Sequence, residues 1–123
     1  MPKRVLVLHS SDFLSRAEIF KTRLAGQGHI VDSVADLNRK EDESGYALLQ
    51  KAIDTHEVIV ILVSQGLFNS CLLRFAIGYA LGSDKTIVSV VKDPGEVLLP
   101  SWYSNLFEHF YTESYVWSRI KQS

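Results

Sequence analysis

The chain has 123 residues, 46% of them hydrophobic and 22% charged, and a formal net charge of -1. This length predicts one domain, residues 1–123, large enough to bury its own core. The near-neutral charge gives no basic surface, so no direct nucleic-acid partner is expected. No apolar run is long enough to span a bilayer, and with so short a start before the first strand no signal peptide is expected. With a single cysteine, Cys71, the expected location is the cytoplasm, with no membrane partner.

The first predicted unit is a strand followed by a helix. Arg4 to Leu8 is a short β-branched run, and residues 9–12 (His-Ser-Ser-Asp) follow it as a polar cluster. Ser11 or Asp12 is suited to cap the next helix. Four apolar residues then recur at helical spacing: Phe13, Ala17, Phe20 and Leu24. The glycines at positions 26 and 28 are suited to end this helix.

The second predicted unit is a strand near the sheet edge, a polar loop and a short helix. His29 to Val34 is moderately apolar and predicts the strand. Ala35 to Ser44 is polar and carries both charge signs, which predicts an exposed loop. The helix is indicated by apolar residues at helical spacing: Leu48, Leu49, Ala52 and Ile53.

The centre of the chain predicts a strand–helix–strand unit. Val58 to Val63 and Thr86 to Val91 do not alternate apolar with polar residues, so both are expected to be buried on two faces. The helix between them is indicated by a stripe at three- and four-residue spacing: Leu72, Phe75, Ala76, Tyr79 and Ala80. In such sheets ligands bind beyond the carboxyl ends of the strands, which predicts a site at the loop Ser64 to Ser70, with Ser70 capping the helix.

The remaining chain completes the predicted fold. Lys92 to Gly95 is a turn signal, Phe107 to Thr112 predicts a fifth, edge strand, and Glu113 to Gln122 predicts a closing helix. This alternation of elements predicts a three-layer, flavodoxin-like α/β domain with helices on both faces. Its parallel sheet is expected to have five strands in the order 2-1-3-4-5.

Two segments resemble TIR (Toll/interleukin receptor) domains of the bacterial NAD-cleaving kind. Residues 9–12 are similar to the Ser-His-Ser-x-Asp opening of bacterial TIR domains. The serine that ends the third strand, the Asn-Ser of its loop and the next helix resemble the half of a TIR domain with a Trp-Cys-x-x-Glu-Leu pattern. Nucleoside 2-deoxyribosyltransferases, a related fold, have a similar helix with Glu-x-Gly and Ala-Leu-Gly. The register set by Ser70 and residues 78–82 places Leu72 at the tryptophan and Ala76 at the catalytic glutamate.

The resemblance implies a domain that binds NAD or a related nucleotide beside the third strand. The family activity is hydrolysis of the nicotinamide–ribose bond, with NAD as substrate or ligand rather than cofactor, and no metal is expected. In these families the glutamate attacks the sugar or stabilises its cationic transition state, and Ala76 can do neither. The chain is therefore expected to be nearly inactive, as a naturally inactive member or through a deliberate Glu-to-Ala change. The first alternative leaves a binding or scaffolding protein, and the second a silenced enzyme.

The resemblance also implies where the ligand and partners bind. The implied ligand contacts are His9, Ser10, Ser11, Asp12, Phe13, Asp36, Leu37, Ser64, Ser70 and Leu72. For most of them a structural role is the simpler interpretation: helix caps for the serines and Asp12, and core for Phe13. The segment Ala35 to Lys40 corresponds to the TIR loop that helps to mediate self-association. A fused or separate sensor protein and a role in antiphage defence or signalling are implied as well.

Two rival functions fit the same patterns. One is a deoxyribosyltransferase-like enzyme acting on nucleosides, and the other is a non-catalytic TIR module that signals through protein contacts. Fold alone does not separate them, because function depends on the site. If the register is right, Ala76 is expected to face the cleft near Ser64 and residues 9–13. If Ala76 instead lies in the core, a glutamate there is expected to destabilise the domain.

Overall fold

The structure is a computed structural model that describes residues 3–34, 45–91, 103, 109–110 and 120. Its main strands are β1 (Arg4–Leu8), β2 (Ile30–Ser33), β3 (Val58–Leu62) and β4 (Thr86–Val90). They form a parallel sheet in the order β2-β1-β3-β4, and a two-residue strand, β5 (His109–Phe110), pairs in parallel with β4. The predicted parallel α/β fold and this order of the first four strands are confirmed. Of the predicted fifth strand, only these two residues are described.

Three helices connect the strands. They are α1 (Leu14–Gly26), α2 (Gly45–Thr55) and α3 (Cys71–Gly82). Short 3₁₀ turns at Ser11–Phe13 and Gln65–Asn69 precede α1 and α3. Both turns therefore lie at the carboxyl ends of strands, where the sequence predicts the site.

The apolar strands form because both faces of the sheet are covered. Successive side chains of a strand point to opposite faces, so Val5 and Val7 pack with Phe20 of α1 while Leu6 and Leu8 pack on the other side. That second cluster includes apolar residues of α2 and α3, among them Leu49, Ile53, Leu73, Ala76, Ile77 and Ala80. All five residues of β3 are buried. The predicted burial on both faces is confirmed for β3, whereas in β4 Thr86 and Ile87 are only partly buried.

The helix ends confirm two of three capping predictions. The Ser70 hydroxyl accepts a hydrogen bond from the Leu73 amide at 3.2 Å, so Ser70 caps α3 as predicted. Gly28, just beyond the end of α1, has a φ of 93°, a left-handed conformation that glycine adopts without strain. The predicted cap of α1 is wrong, because Phe13 holds the N-cap position and no side chain bonds there. A 3₁₀ turn at Ser11–Phe13 takes up the residues that were expected to cap the helix.

Several predicted segments lie outside the described residues. These are the loop Ala35 to Ser44, the turn Lys92 to Gly95 and the closing helix Glu113 to Gln122, except for Ile120. Ile120 is buried in the cluster on the α1 side of the sheet. Among the helices of the described ranges, none has the length and apolar character needed to cross a bilayer.

Tyr103 leads to a prediction about alkaline pH. Its side chain is fully buried, its hydroxyl lies 2.6 Å from that of Ser89, and burial raises the pKa of Tyr103 well above its usual range. Because the native pKa is raised, the stability linked to this tyrosine is fully present below about pH 10, the tyrosine pKa in the unfolded chain. That stability is lost as the pH rises further toward the native pKa. We expect the free energy of unfolding to fall above pH 10, by up to about 1.4 kcal/mol per pH unit, more steeply than in Tyr103→Phe. Urea titrations of both proteins at several pH values test this, and equal slopes would contradict it.

Candidate functional site

A hydrogen-bonded cluster joins the ends of β1 and β3. The hydroxyls of Ser10 and Ser64 lie 2.6 Å apart, and Ser64 donates to Oδ1 of Asp12 at 3.0 Å. Ser10 donates to the same carboxylate oxygen. Both serines are buried, whereas Asp12 is exposed. The cluster therefore holds the loop after β1 against the loop after β3, and brings together three of the predicted site residues.

Gly66 lets the Asp12 carboxylate approach the second loop. A Cβ atom at position 66 would lie 3.0 Å from Oδ1 of Asp12 and 3.2 Å from its Cγ, which is closer than ordinary van der Waals contact. A side chain at position 66 therefore requires the Asp12 carboxylate to shift by a few tenths of an ångström relative to Ser10 and Ser64. The sequence analysis did not single out Gly66, because the contact joins residues far apart in the chain.

Beside this cluster lies a cleft of about 320 Å³. The described residues that line it are His9, Val34, Gly45, Leu48, Leu49, Ser70, Leu72 and Leu73. Three of them, His9, Ser70 and Leu72, were predicted as ligand contacts. The cleft lies where β1 and β2 end, between α2 and α3, and its walls are mostly apolar. The lining residues that the sequence analysis missed include Leu48 and Leu49, which had been assigned only to the apolar stripe of a helix.

His9 is the buried polar group of this cleft. Its side chain is 4% exposed, and Nδ1 lies 2.9 Å from the carbonyl oxygen of Ser10. A carbonyl oxygen only accepts, so Nδ1 carries the hydrogen of this bond. The other ring nitrogen, Nε2, is buried and has no hydrogen-bond partner among the described residues. A buried nitrogen without a partner beside a cleft is a feature that a ligand can satisfy.

The other predicted site residues do not line the cleft in the part of the chain that the structure describes. Phe13 is half-buried against the core cluster on the α1 side, and the Arg16 guanidinium lies 5.7 Å from its ring centre. Phe13 is therefore a core-edge residue, as the simpler interpretation held. Ser11 is exposed in the 3₁₀ turn. Asp36 and Leu37 lie outside the described residues.

Ala76 lies in the core. Its side chain is 0% exposed and belongs to the apolar cluster that covers one face of the sheet, with Leu6, Ile59 and Ile77 among its members. It does not line the cleft. The structure thus differs from the expectation that Ala76 faces the cleft, because α3 turns the face with Ala76, Ile77 and Ala80 into the core. The other expectation therefore applies, namely that a glutamate at this core position destabilises the domain.

Comparisons with known proteins support the fold. No protein-family model matches the chain, and no curated protein sequence does. Among solved structures, the chain is similar to the TIR domain of the Toll-related receptor TRR-2 from Hydra magnipapillata, with a TM-score of 0.72 and 11% sequence identity. The match covers 99% of this chain and 97% of that chain. At this identity the similarity shows a TIR-like fold, whereas NAD cleavage and a relation to deoxyribosyltransferases stay predictions.

Proposed function

We propose that this chain is a TIR-like domain that binds NAD or a related nucleotide without hydrolysing it. The observation that carries the proposal is the cleft of about 320 Å³ at the carboxyl end of β1, lined by His9, Ser70 and apolar side chains. Ligands of parallel α/β domains bind at this edge of the sheet. The resemblance of residues 9–12 and 64–82 to NAD-cleaving TIR domains supplies the class of ligand.

The absence of hydrolysis follows from the chemistry of the described cleft residues. Cleavage of an N-glycosidic bond needs a carboxylate that attacks the sugar or stabilises its positive charge. No acidic residue is among the described residues that line the cleft. Asp12, at the neighbouring strand end, is hydrogen-bonded by Ser10 and Ser64. Ala76, at the position of the family glutamate, has no carboxylate and lies in the core.

A module that signals only through protein contacts is the second candidate. The burial of Ala76 favours it over an NAD-cleaving enzyme or a deoxyribosyltransferase-like enzyme, since both enzymes require a carboxylate at that position. In either candidate we place the protein in the cytoplasm, in bacterial defence or signalling. There it assembles side by side through TIR-type contacts when a fused or separate sensor protein raises its local concentration.

Calorimetric titration of the full chain with NAD and with a deoxynucleoside tests this proposal. We expect NAD to bind and no nicotinamide to be released during prolonged incubation. The variant Leu48→Trp fills the cleft and is expected to weaken NAD binding at least about tenfold, because a wall residue then occupies the ligand volume. Leu81→Trp makes the same change at an exposed position of α3 and is the matched control.

Other outcomes of these titrations separate the proposed function from its rivals. Release of nicotinamide contradicts the inactive assignment, and tighter binding of the deoxynucleoside favours the transferase-like alternative. Binding of neither compound removes the nucleotide function and leaves the interaction module. Equal NAD affinity in Leu48→Trp and Leu81→Trp would place any NAD site outside this cleft.

A further inference from the structure

The hydrogen-bonding groups of the cleft determine which chemical group fits it. His9 donates through Nδ1 to the Ser10 carbonyl, so in the neutral ring Nε2 keeps its lone pair and is an acceptor. Nε2 is buried and has no partner among the described residues, and His9 lines the cleft. A ligand group that pairs with Nε2 of the neutral ring therefore carries an N–H or O–H donor.

Ser70 supplies the complementary donor. Its Oγ accepts the hydrogen bond from the Leu73 amide at 3.2 Å, which fixes the direction of the hydroxyl oxygen. An amide nitrogen does not accept, so the hydrogen of the Ser70 hydroxyl remains for another acceptor. The cleft thus presents one acceptor and one donor on walls that are otherwise apolar in the described residues.

Charge and size narrow the ligand further. None of the described lining residues is Lys, Arg, Asp or Glu, so neither phosphates nor a cationic ring finds a charged partner among them. The volume of about 320 Å³ is near the lower end of ligand pockets, which span about 300–1,000 Å³. The described part of the cleft therefore suits one uncharged ring system of a dinucleotide better than its phosphates.

We propose that this cleft binds the adenine end of the nucleotide, and that His9 is the residue that selects it. The exocyclic amino group of adenine donates to Nε2 of His9, and an adjacent ring nitrogen accepts from the Ser70 hydroxyl. The pyridinium ring of NAD carries a positive charge, which none of the described lining residues compensates. This inference rests on the proposed function, because it states which end of the bound nucleotide enters the cleft.

Nucleoside pairs of nearly equal shape test the proposal on the full chain. We expect adenosine to bind at least about tenfold more tightly than purine riboside, which lacks the amino group, because the analogue leaves a buried acceptor unpaired. Inosine, with a carbonyl oxygen in place of the amino group, is expected to bind as weakly as purine riboside. Nicotinamide riboside is expected not to compete with adenosine.

The role of His9 is tested by a variant and by a spectroscopic signature. His9→Phe keeps an aromatic ring but removes the acceptor, so the preference for adenosine over purine riboside should vanish. His29→Phe makes the same change at another buried histidine, outside the cleft lining, and should keep the preference. If His9→Phe fails to fold, the ¹⁵N chemical shift of Nε2 in the unchanged protein tests the role of His9. Adenosine is expected to move this shift, because its amino group donates a hydrogen bond to Nε2. Purine riboside has no amino group and is expected to leave the shift unmoved.

The results that would overturn the inference differ from those that would overturn the proposed function. NAD binding with competition by nicotinamide riboside rather than adenosine contradicts the adenine end but keeps the nucleotide function. An unchanged preference in His9→Phe, or an unmoved Nε2 shift, contradicts the role of His9. If neither NAD nor adenosine binds, the proposed function fails and this inference fails with it.

Discussion

Replacing Ala76 with glutamate is expected to destabilise the domain by several kcal/mol and to produce no NAD cleavage. The side chain of Ala76 is 0% exposed in the apolar cluster between α3 and the sheet, with Leu6 and Ile59 in the same cluster. A glutamate there has to bury its carboxylate without a partner or push the helix away from the sheet. Although the sequence motif places the family glutamate at position 76, a carboxylate at that buried position is not expected to reach a ligand in the cleft.

Gly78 provides the matched control on the same helix. It is exposed, and a Cβ atom built there meets no atom within 4 Å, so Gly78→Glu adds the same side chain without burying it. We expect Gly78→Glu to be at least as stable as the unchanged protein, since glutamate favours a helix over glycine by roughly 0.5–1 kcal/mol. Urea denaturation and a nicotinamide-release assay measure both variants. A stable Ala76→Glu protein that releases nicotinamide would contradict the core position of Ala76 and restore the enzyme interpretation.

The second large effect is expected at His56, which joins three elements. Its side chain is 3% exposed, Nδ1 lies 2.5 Å from the Ala52 carbonyl oxygen, and Nε2 lies 2.8 Å from Oδ2 of Asp32. Both partner atoms accept, so both bonds form when each ring nitrogen carries a hydrogen. Asp32 belongs to β2 and Ala52 to α2, and His56 directly precedes β3. The ring therefore fixes the end of α2 against the edge strand beside the cleft.

His56→Leu is expected to lower the free energy of unfolding by about 2 kcal/mol, because it leaves the half-exposed Asp32 carboxylate without its buried hydrogen-bond partner and takes one of two donors from the Ala52 carbonyl, which keeps the Thr55 hydroxyl at 3.1 Å. Asp32→Asn keeps an acceptor for Nε2 and is expected to cost less. Glu57→Gln is the control: its contact with the Lys3 ammonium, at 3.8 Å, is exposed, and its loss is expected to cost less than about 1 kcal/mol. Urea denaturation measures all three, and a cost for His56→Leu no larger than for Glu57→Gln would contradict this role.

The patterns of single segments were enough to predict the strands and the parallel α/β architecture. The segments Val58 to Leu62 and Thr86 to Val90 are largely apolar without alternation, and this pattern is typical of a strand buried on both faces. The cap at Ser70 was also predictable, since it involves only a residue three positions further on. These features depend on neighbours in the chain.

The face that α3 turns toward the sheet was decided only by tertiary packing. The helix is apolar on more than one side, so the predicted stripe mixed Ala76 and Ala80, which are buried, with Phe75 and Tyr79, which are partly exposed. Residues one position apart on a helix are separated by about 100°, and on such a helix several overlapping apolar faces satisfy the same spacing. Packing in the core cluster with residues of β1 and β3 selects the face that carries Leu73, Ala76, Ile77 and Ala80.

The same distinction applies to Asp12. Its type and position predicted a helix cap, which is a local bond, but its carboxylate instead accepts hydrogen bonds from Ser10 and from Ser64, 52 positions away. Gly66 makes room for this contact from the opposite loop. Within the described ranges, sequence alone determined the strands, the helices and their alternation, because these depend on short-range periodicity. Tertiary structure decided which polar groups meet at the strand ends and which remain for a ligand, because those contacts exist only after distant segments pack together.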